Sequence, residues 1–397
     1  MVADAGPTTS VGENGLDLSG LYTPFRIKGI TLANRFVMPG MGRRASREGR
    51  PLPELGRYYA RRVQGGVALV ITEAVAVDHP SATQVPHYGW IREDTLDAWA
   101  RCASQVREAG GHFFLQLWHE GAVRPEGGDG PYATYPTLSP SGLVHGTRPN
   151  GRAASAEDLE EIKDAFVRGA IAARQIGASG VEVHACHGYL LDQFLWAETN
   201  RRKDGYGGDE LASRVRFPAE IVGSIRAAVG PDFVISVRIS QWKEVNYEAK
   251  IAESPEDLAF VLQAFRRQGA DIMHVSTRRF WVPEWPGSDL GLAGWAKRLT
   301  DAPVIAVGSV GLDIDVMESL FGRDATPTGE PGLQELARRF SNGEFDLISV
   351  GRGQIGDPDW VHKVRDGRIA EIRPFTKQDV RGDSTSGLPD FITDAHR

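Results

Sequence analysis

The stretch HACHGYLLDQF, residues 184–194, puts two imidazoles three residues apart and a phenol two residues beyond the second. The run GVEVHA (180–185) leads into it with the alternation of a strand. Imidazoles can donate hydrogen bonds, move protons or bind a metal, and a phenol stays protonated at neutral pH. Their clustering at one strand end raises the question of what chemistry His184, His187 and Tyr189 serve. An H-x-x-H pair binds a metal only with further ligands. No third carboxylate or histidine is apparent nearby, so no metal is assigned.

Other strand-like runs carry polar residues on one parity. In FVISVRIS (233–240), Ile235, Val237 and Ile239 share one face, and Ser236, Arg238 and Ser240 share the other. In HFFLQLWH (112–119), Gln116 and Trp118 oppose Leu115 and Leu117, and in GVEVHA, Glu182 and His184 oppose Val181 and Val183. An unpaired buried guanidinium is costly, so Arg238 needs a partner. That partner is either Glu182, in a plain ion pair, or an electron-rich ligand that Gln116 also contacts. The runs AVGSVG (306–311) and SVGRG (349–353) end in glycines that let backbone N–H groups approach a phosphate, with Arg352 able to add charge-assisted bonds. Tight turns are the competing explanation for those glycines. Together the features point to a flat, hydrogen-bonding, phosphorylated cofactor.

The elements that must position these residues repeat. Short β-branched runs recur at 36–41, 67–74, 112–119, 180–185, 233–240, 271–277, 303–309 and 345–352. Helix-like segments such as 156–177 lie between them. Eight alternations predict an α/β fold, a (β/α)8 TIM barrel with an N-terminal hairpin (21–35) and long βα loops. An open doubly wound sheet is the alternative, but no dinucleotide-type glycine turn follows the first run. The expected organisation is a disordered segment over 1–20, one barrel domain over 21–371 and a polar tail over 372–397. The long loops 120–155 and 278–296 leave strand carboxyl ends, where such barrels build their sites. The second carries Trp281, Trp285 and Trp295. Trp281 and Trp118 are taken as substrate-contacting candidates.

The 397 residues are 41% hydrophobic and 24% charged, enough to bury a large core, and the net charge is −7. No basic block favours nucleic acid or an anionic membrane. Two cysteines, Cys102 and Cys186, cannot hold an iron–sulfur cluster and fit a reducing, cytoplasmic setting. No signal peptide or membrane span is read.

Seven motifs in order then resemble the old yellow enzymes, the FMN-dependent ene-reductases. They are LYTPFRIKGITLANRFVMPGM (21–41), ITEA (71–74), FLQLWHEG (114–121), HACHGYLLDQFLWAETNRRKDGYGG (184–208), SVRIS (236–240), AVGSVG and SVGRGQIGDPDW (349–360). The resemblance covers about residues 21–370. It implies that the backbone of Pro39, Gly40, Met41 and Gly42 runs along the flavin, with Ala74 packed near it. It implies that Gln116 and Arg238 contact the pyrimidine end, and that Gly308, Ser309, Gly351 and Arg352 cradle the phosphate. His184 and His187 would hold the substrate carbonyl oxygen, and Tyr189 would supply the proton. The implied activity is reduction of the C=C bond of α,β-unsaturated carbonyl compounds. NAD(P)H is the electron donor, and hydride passes from flavin N5 to the small-molecule enone.

Departures are visible. Gly42 stands where many members carry threonine or cysteine, Arg43 and Arg44 follow it, and Trp196 lies where many have a serine–proline pair. Without cysteine-rich or second nucleotide-binding extensions, a single-cofactor enzyme is expected. A flavin-dependent desaturase or double-bond isomerase would use the same residues. A flavin-binding module without turnover would not need His184, His187 and Tyr189 together. The sequence leaves open a homo-oligomer, the donor nucleotide and the substrate.

Overall fold

The computed structural model describes residues 16–127 and 130–380. Eight parallel strands form the barrel: β1 (Phe36–Met38), β2 (Leu69–Val77), β3 (His112–Trp118), β4 (Gly180–His187), β5 (Val234–Lys243), β6 (Ile272–Ser276), β7 (Val304–Val307) and β8 (Leu347–Ser349). Neighbours pair in chain order, and β1 pairs with both β8 and β2, which closes the ring. Helices α1 (Pro53–Gln64), α2 (Leu96–Glu108), α3 (Ala156–Gln175), α4 (Leu211–Val229), α5 (Pro255–Arg267), α6 (Leu292–Leu299), α7 (Gly329–Ser341) and α8 (Trp360–Arg365) follow the strands in turn.

Local chemistry starts several of them. Ser155 caps α3 by accepting the Asp158 N–H, while Asp158 accepts the Ser155 N–H, a capping box. Ser254 caps α5 by accepting the Asp257 N–H, with Pro255 at the first helical position.

Two apolar layers follow from strand parity. Leu115, Leu117, Val181, Val183, Ile235, Val237 and Ile239 face outward into the shell shared with the helices. Val37, Leu69, Phe114, Val234, Ile272, Ile305 and Leu347 fill the barrel floor. A hairpin pairing Phe25–Ile27 with Ile30–Leu32 plugs that floor with Ile27 and Leu32. The floor is thus apolar, and polar groups are left to the opposite, carboxyl end.

Both expected domain boundaries move outward. Leu18 is buried and Ser19–Tyr22 form a short 3-10 turn, so ordered packing begins before residue 21. Past residue 371, Phe375 is 2% exposed and packs with Leu312, Ile314, Ala325 and Ile355. The segment therefore returns to the barrel because an apolar ring is buried there. The remainder of the two expected termini, 1–15 and 381–397, lies outside the described residues. No described helix is long and apolar enough to cross a membrane.

Candidate active site

At the carboxyl end of the strands lies a cavity of about 590 Å³. It gathers Pro39, Gly40, Met41 and Gly42 after β1, Ala74 in β2, Gln116 and Trp118 in β3, and His184, His187 and Tyr189 at the end of β4. Arg238 comes from β5, Gly308 and Ser309 from β7, and Gly351 and Arg352 from β8. Trp281 does not line it. Its ring packs against Phe280, and its carbonyl accepts from Arg339, so it anchors the loop after β6. Trp285 is likewise tied down, donating to the Glu253 carbonyl and packing on Trp295.

Besides Trp118, the tryptophan that lines the cavity is Trp242, stacked on His187 with ring centroids 4.4 Å apart. Sequence reasoning stopped β5 at Ser240. The strand runs on to Lys243, so the parity of Ser236, Arg238 and Ser240 continues through Trp242 to Glu244, which also lines the cavity. That signal was present in the alternation. Tyr88, Ser276 and Arg278 line the cavity as well. Ser276 continues the Ile272–His274 parity of β6, whereas Tyr88 sits in a loop without a periodic signal.

The polar layer is ordered by register. Glu182 lies beside Gln116 on one side and Ser236 on the other, and His184 lies beside Arg238. Glu182 is fully buried and accepts from Gln116 Nε2 at 2.8 Å, Ser236 Oγ at 2.9 Å and His274 Nδ1 at 2.7 Å. Burial alone would raise its pKa. His274, Arg238 and Gln116 outweigh that and hold it below the ordinary carboxylate range. Arg238 makes no direct pair with Glu182. One terminal nitrogen donates to the Gly40 carbonyl at 3.1 Å, and the other to Ser276 Oγ at 3.4 Å. Its Nε is buried without a partner, as is Trp118 Nε1. The plain ion-pair reading of Arg238 therefore fails, and an unmet donor remains where the ligand reading places one.

Other features suit the same ligand. A Cβ on Gly40 would come within 2.6 Å of both Gln116 Nε2 and the Thr72 carbonyl, and one on Gly308 within 2.4 Å of Thr277 Oγ1. Backbone reaches the cavity wall at these points only because no side chain intervenes. Arg352 is more committed than expected. Its terminal nitrogens donate to Ser309 Oγ, Ser319 Oγ and the carbonyls of Ile314 and Asp315, bracing the loop after β7. It brings positive charge to the glycine ends while holding their shape. These groups fit FMN: donors for the ring at Arg238, close backbone along it, and a basic, glycine-lined end for its phosphate.

His187 adopts φ 64°, a strained left-handed value for a non-glycine residue, and precedes Gly188 at φ 87°. The turn is pinned from three sides. The His187 N–H donates to Ser240 Oγ, the Gly188 N–H to Asp192 Oδ2, and Gln193 Nε2 to the Gly188 carbonyl. It brings the rings of His184 and His187 to 5.5 Å and those of His184 and Tyr189 to 5.2 Å. Burial, with Arg238 nearby, holds the His184 pKa down to about 3 and that of His187 well below its usual value. Both rings are neutral at pH 7. Burial pushes Tyr189 well above the usual phenol range, so it is protonated. Cys186 adds a third donor to the two histidines, all within 4.8 Å, which the sequence reading had not counted. The Arg238 charge acts on all three and opposes a cation there.

Residues 20–326 match the family described as the NADH:flavin oxidoreductase / NADH oxidase family. An NADH oxidase from Thermoanaerobacter brockii is 32% identical over 364 residues, 89% of this chain and 52% of that protein, so the chain spans about half its length. The 12-oxophytodienoate reductase 7 of Oryza sativa subsp. japonica is 31% identical over 365 residues, 87% of each chain. Among solved structures, morphinone reductase in complex with tetrahydroNAD superposes with a TM-score of 0.75 at 24% identity, covering 94% of this chain and 97% of that one. The old yellow enzyme homologue of Zymomonas mobilis superposes with 0.74 at 23% identity, covering 94% and 99%. With that match and this site, the chain belongs to the NADH:flavin oxidoreductase / NADH oxidase family, a family of FMN-dependent oxidoreductases.

Proposed function

We propose that this protein reduces the C=C bond of α,β-unsaturated carbonyl compounds with electrons from NAD(P)H. The observation that carries the reading is the convergence of two neutral imidazoles and one protonated phenol on one cavity wall, beside Arg238 and Gln116. FMN, when bound, supplies hydride transfer. Arg238 and Gln116 would hold its ring, and Gly308, Ser309, Gly351 and Arg352 its phosphate.

The protein's own part is orientation, charge stabilisation and a proton. Ser276 Oγ accepts from Arg238 and lies 2.9 Å from His187 Nε2. With Arg238 as an obligate donor, the Ser276 hydroxyl is free to donate to that nitrogen. His187 then carries its proton on Nδ1, which is available to a ligand oxygen. His184 supplies a second N–H. Two fixed donors favour the enolate-like charge that develops on the substrate oxygen. Neutral rings suit this, since they donate without surrendering a proton. Tyr189 protonates the α-carbon. Trp242 and Trp118 wall the cavity with apolar surface for the substrate.

The test is an absorption spectrum of the purified protein, followed by anaerobic titration with NADPH and NADH. A flavin spectrum that bleaches with a nicotinamide and recovers on adding cyclohexenone supports the reading. Bound flavin that neither nucleotide reduces would turn it toward a desaturase or isomerase using the same site. Failure to take up FMN would overturn the assignments of Arg238, Gln116 and the glycine ends.

A further inference from the structure

We infer that Glu244 is a proton relay, linking solvent at the cavity mouth to the phenol of Tyr189. The inference rests on the proposed function and adds what that reading lacks, a route by which the acid recovers its proton. The Tyr189 hydroxyl donates to Glu244 Oε2 at 3.3 Å. Glu244 lines the cavity and is exposed, whereas Tyr189 is half-buried behind it. Its place is fixed by backbone, because the Glu244 N–H donates to the His187 carbonyl. Strand β5 and the histidine turn are thereby joined at the residue before Gly188.

The need for a relay follows from the surroundings of Tyr189. The Trp118 ring packs 5.1 Å from it and the His184 ring 5.2 Å. His184 and His187 are neutral, and in the proposed reaction their N–H groups are committed to the substrate oxygen. Glu120 and Tyr88 also act on Tyr189, but Glu120 is buried, so it has no direct exchange with solvent. Glu244 is the acidic neighbour of Tyr189 that is both hydrogen-bonded to it and open to water. Partial burial raises its carboxyl above the ordinary range.

The bookkeeping of the step closes. The Tyr189 O–H bond breaks as the α-carbon–H bond forms, leaving a phenolate. The Glu244 carboxyl O–H bond breaks as the phenol re-forms. The resulting carboxylate takes a proton from water, and no redox change occurs at either residue.

The experiment follows the oxidative half-reaction by stopped flow. Anaerobically reduced holoenzyme is mixed with cyclohexenone from about pH 5 to 9, a range that starts near the ordinary carboxylate value. In the native protein the rate should fall wherever rising pH removes the Glu244 proton. The groups facing the carboxyl are Tyr189, Tyr247, Tyr88 and Glu120. Of these, Glu120, raised to about 7, could mimic such a limb. Glu120→Gln should keep it. Glu244→Gln should be at least about tenfold slower, within the range of a general acid–base contribution, and should lose the limb. Glu244→Asp should restore both rate and limb. If Glu244→Gln reacts within twofold of the native rate with the same pH profile, while Tyr189→Phe is slow, the relay is overturned and the proton donor stands. If Tyr189→Phe is as fast as the native protein, the proton-donor reading has failed and the relay falls with it.

Discussion

Lys243 and Asp192 form an ion pair with Nζ 2.9 Å from Oδ1 and no exposure of either side chain. Asp192 Oδ2 also accepts the Gly188 N–H at 2.6 Å, so the pair holds the turn that carries His187 and Tyr189. Lys243→Met keeps the apolar stem and removes the charge. Breaking one side of a buried pair costs about 3–5 kcal/mol, because the other charge is left stranded. The cost should depend on pH, and the sign can be worked out. Burial already pushes the Asp192 carboxyl up to about 6 from its ordinary 3.8, against the pull of Lys243. Without the ammonium it rises further. A folded state that holds its proton to higher pH than the unfolded chain loses stability as pH rises through that window. From pH 5 to pH 7, an acid held above about 8 costs about 2.7 kcal/mol, and one held at about 6 costs about 1.3 kcal/mol. The gap between variant and native protein should therefore widen by about 1.4 kcal/mol over those two units. Urea unfolding at pH 5, 6 and 7, with FMN in fixed excess, reads this directly. An equal midpoint at pH 7, or a gap that does not change with pH, would refute the stranded-carboxylate argument. Adding Asp192→Asn to the variant should recover much of the loss, since no charge is then left unpaired.

Three further outcomes are expected. Gly308→Ala places a Cβ 2.4 Å from Thr277 Oγ1 and 2.7 Å from the Thr277 carbonyl, at φ 155°, so backbone must shift. FMN affinity, followed by flavin fluorescence during reconstitution, should fall at least about tenfold, or about 1.4 kcal/mol. Trp242→Ala should raise the KM for cyclohexenone by freeing the His187 ring, whereas Trp281→Ala should leave it within about twofold; the reverse pattern would restore Trp281 to the substrate wall. Burial holds His184 at about 3, against 6.5 in the unfolded chain, so the unfolded state binds the proton first as pH falls. Between pH 7 and 5 this should remove about 2 kcal/mol of stability. His184→Gln should show a correspondingly shallower acid loss in urea midpoints.

Much of the site was legible because strand alternation is a local property. Once eight strand-like runs were counted, parity alone put Gln116, Glu182, His184 and Arg238 on the inner face, and register then set Glu182 beside Gln116 and His184 beside Arg238. The turn HACHGY declared its chemistry through residue types and spacing. The glycine ends of β7 and β8 announced close backbone approach. What alternation could not reveal was where it stops. Ending β5 at Ser240 hid Trp242 and Glu244, and favouring a tryptophan-rich loop put Trp281 in the place of Trp242.

Sequence by itself determined the barrel, its inward polar layer and most of the groups that meet in the cavity, because period-two patterning and strand-end composition are written in consecutive residues. Tertiary structure alone decided who pairs with whom. Glu182 went to His274, Ser236 and Gln116, Arg238 kept an unmatched Nε, Arg352 became a brace, and Phe375 came back from the tail to line the cavity. Each of these choices joins residues dozens to hundreds of positions apart. Ring closure and burial settle them through competition for a limited number of hydrogen-bond partners, which no local pattern records.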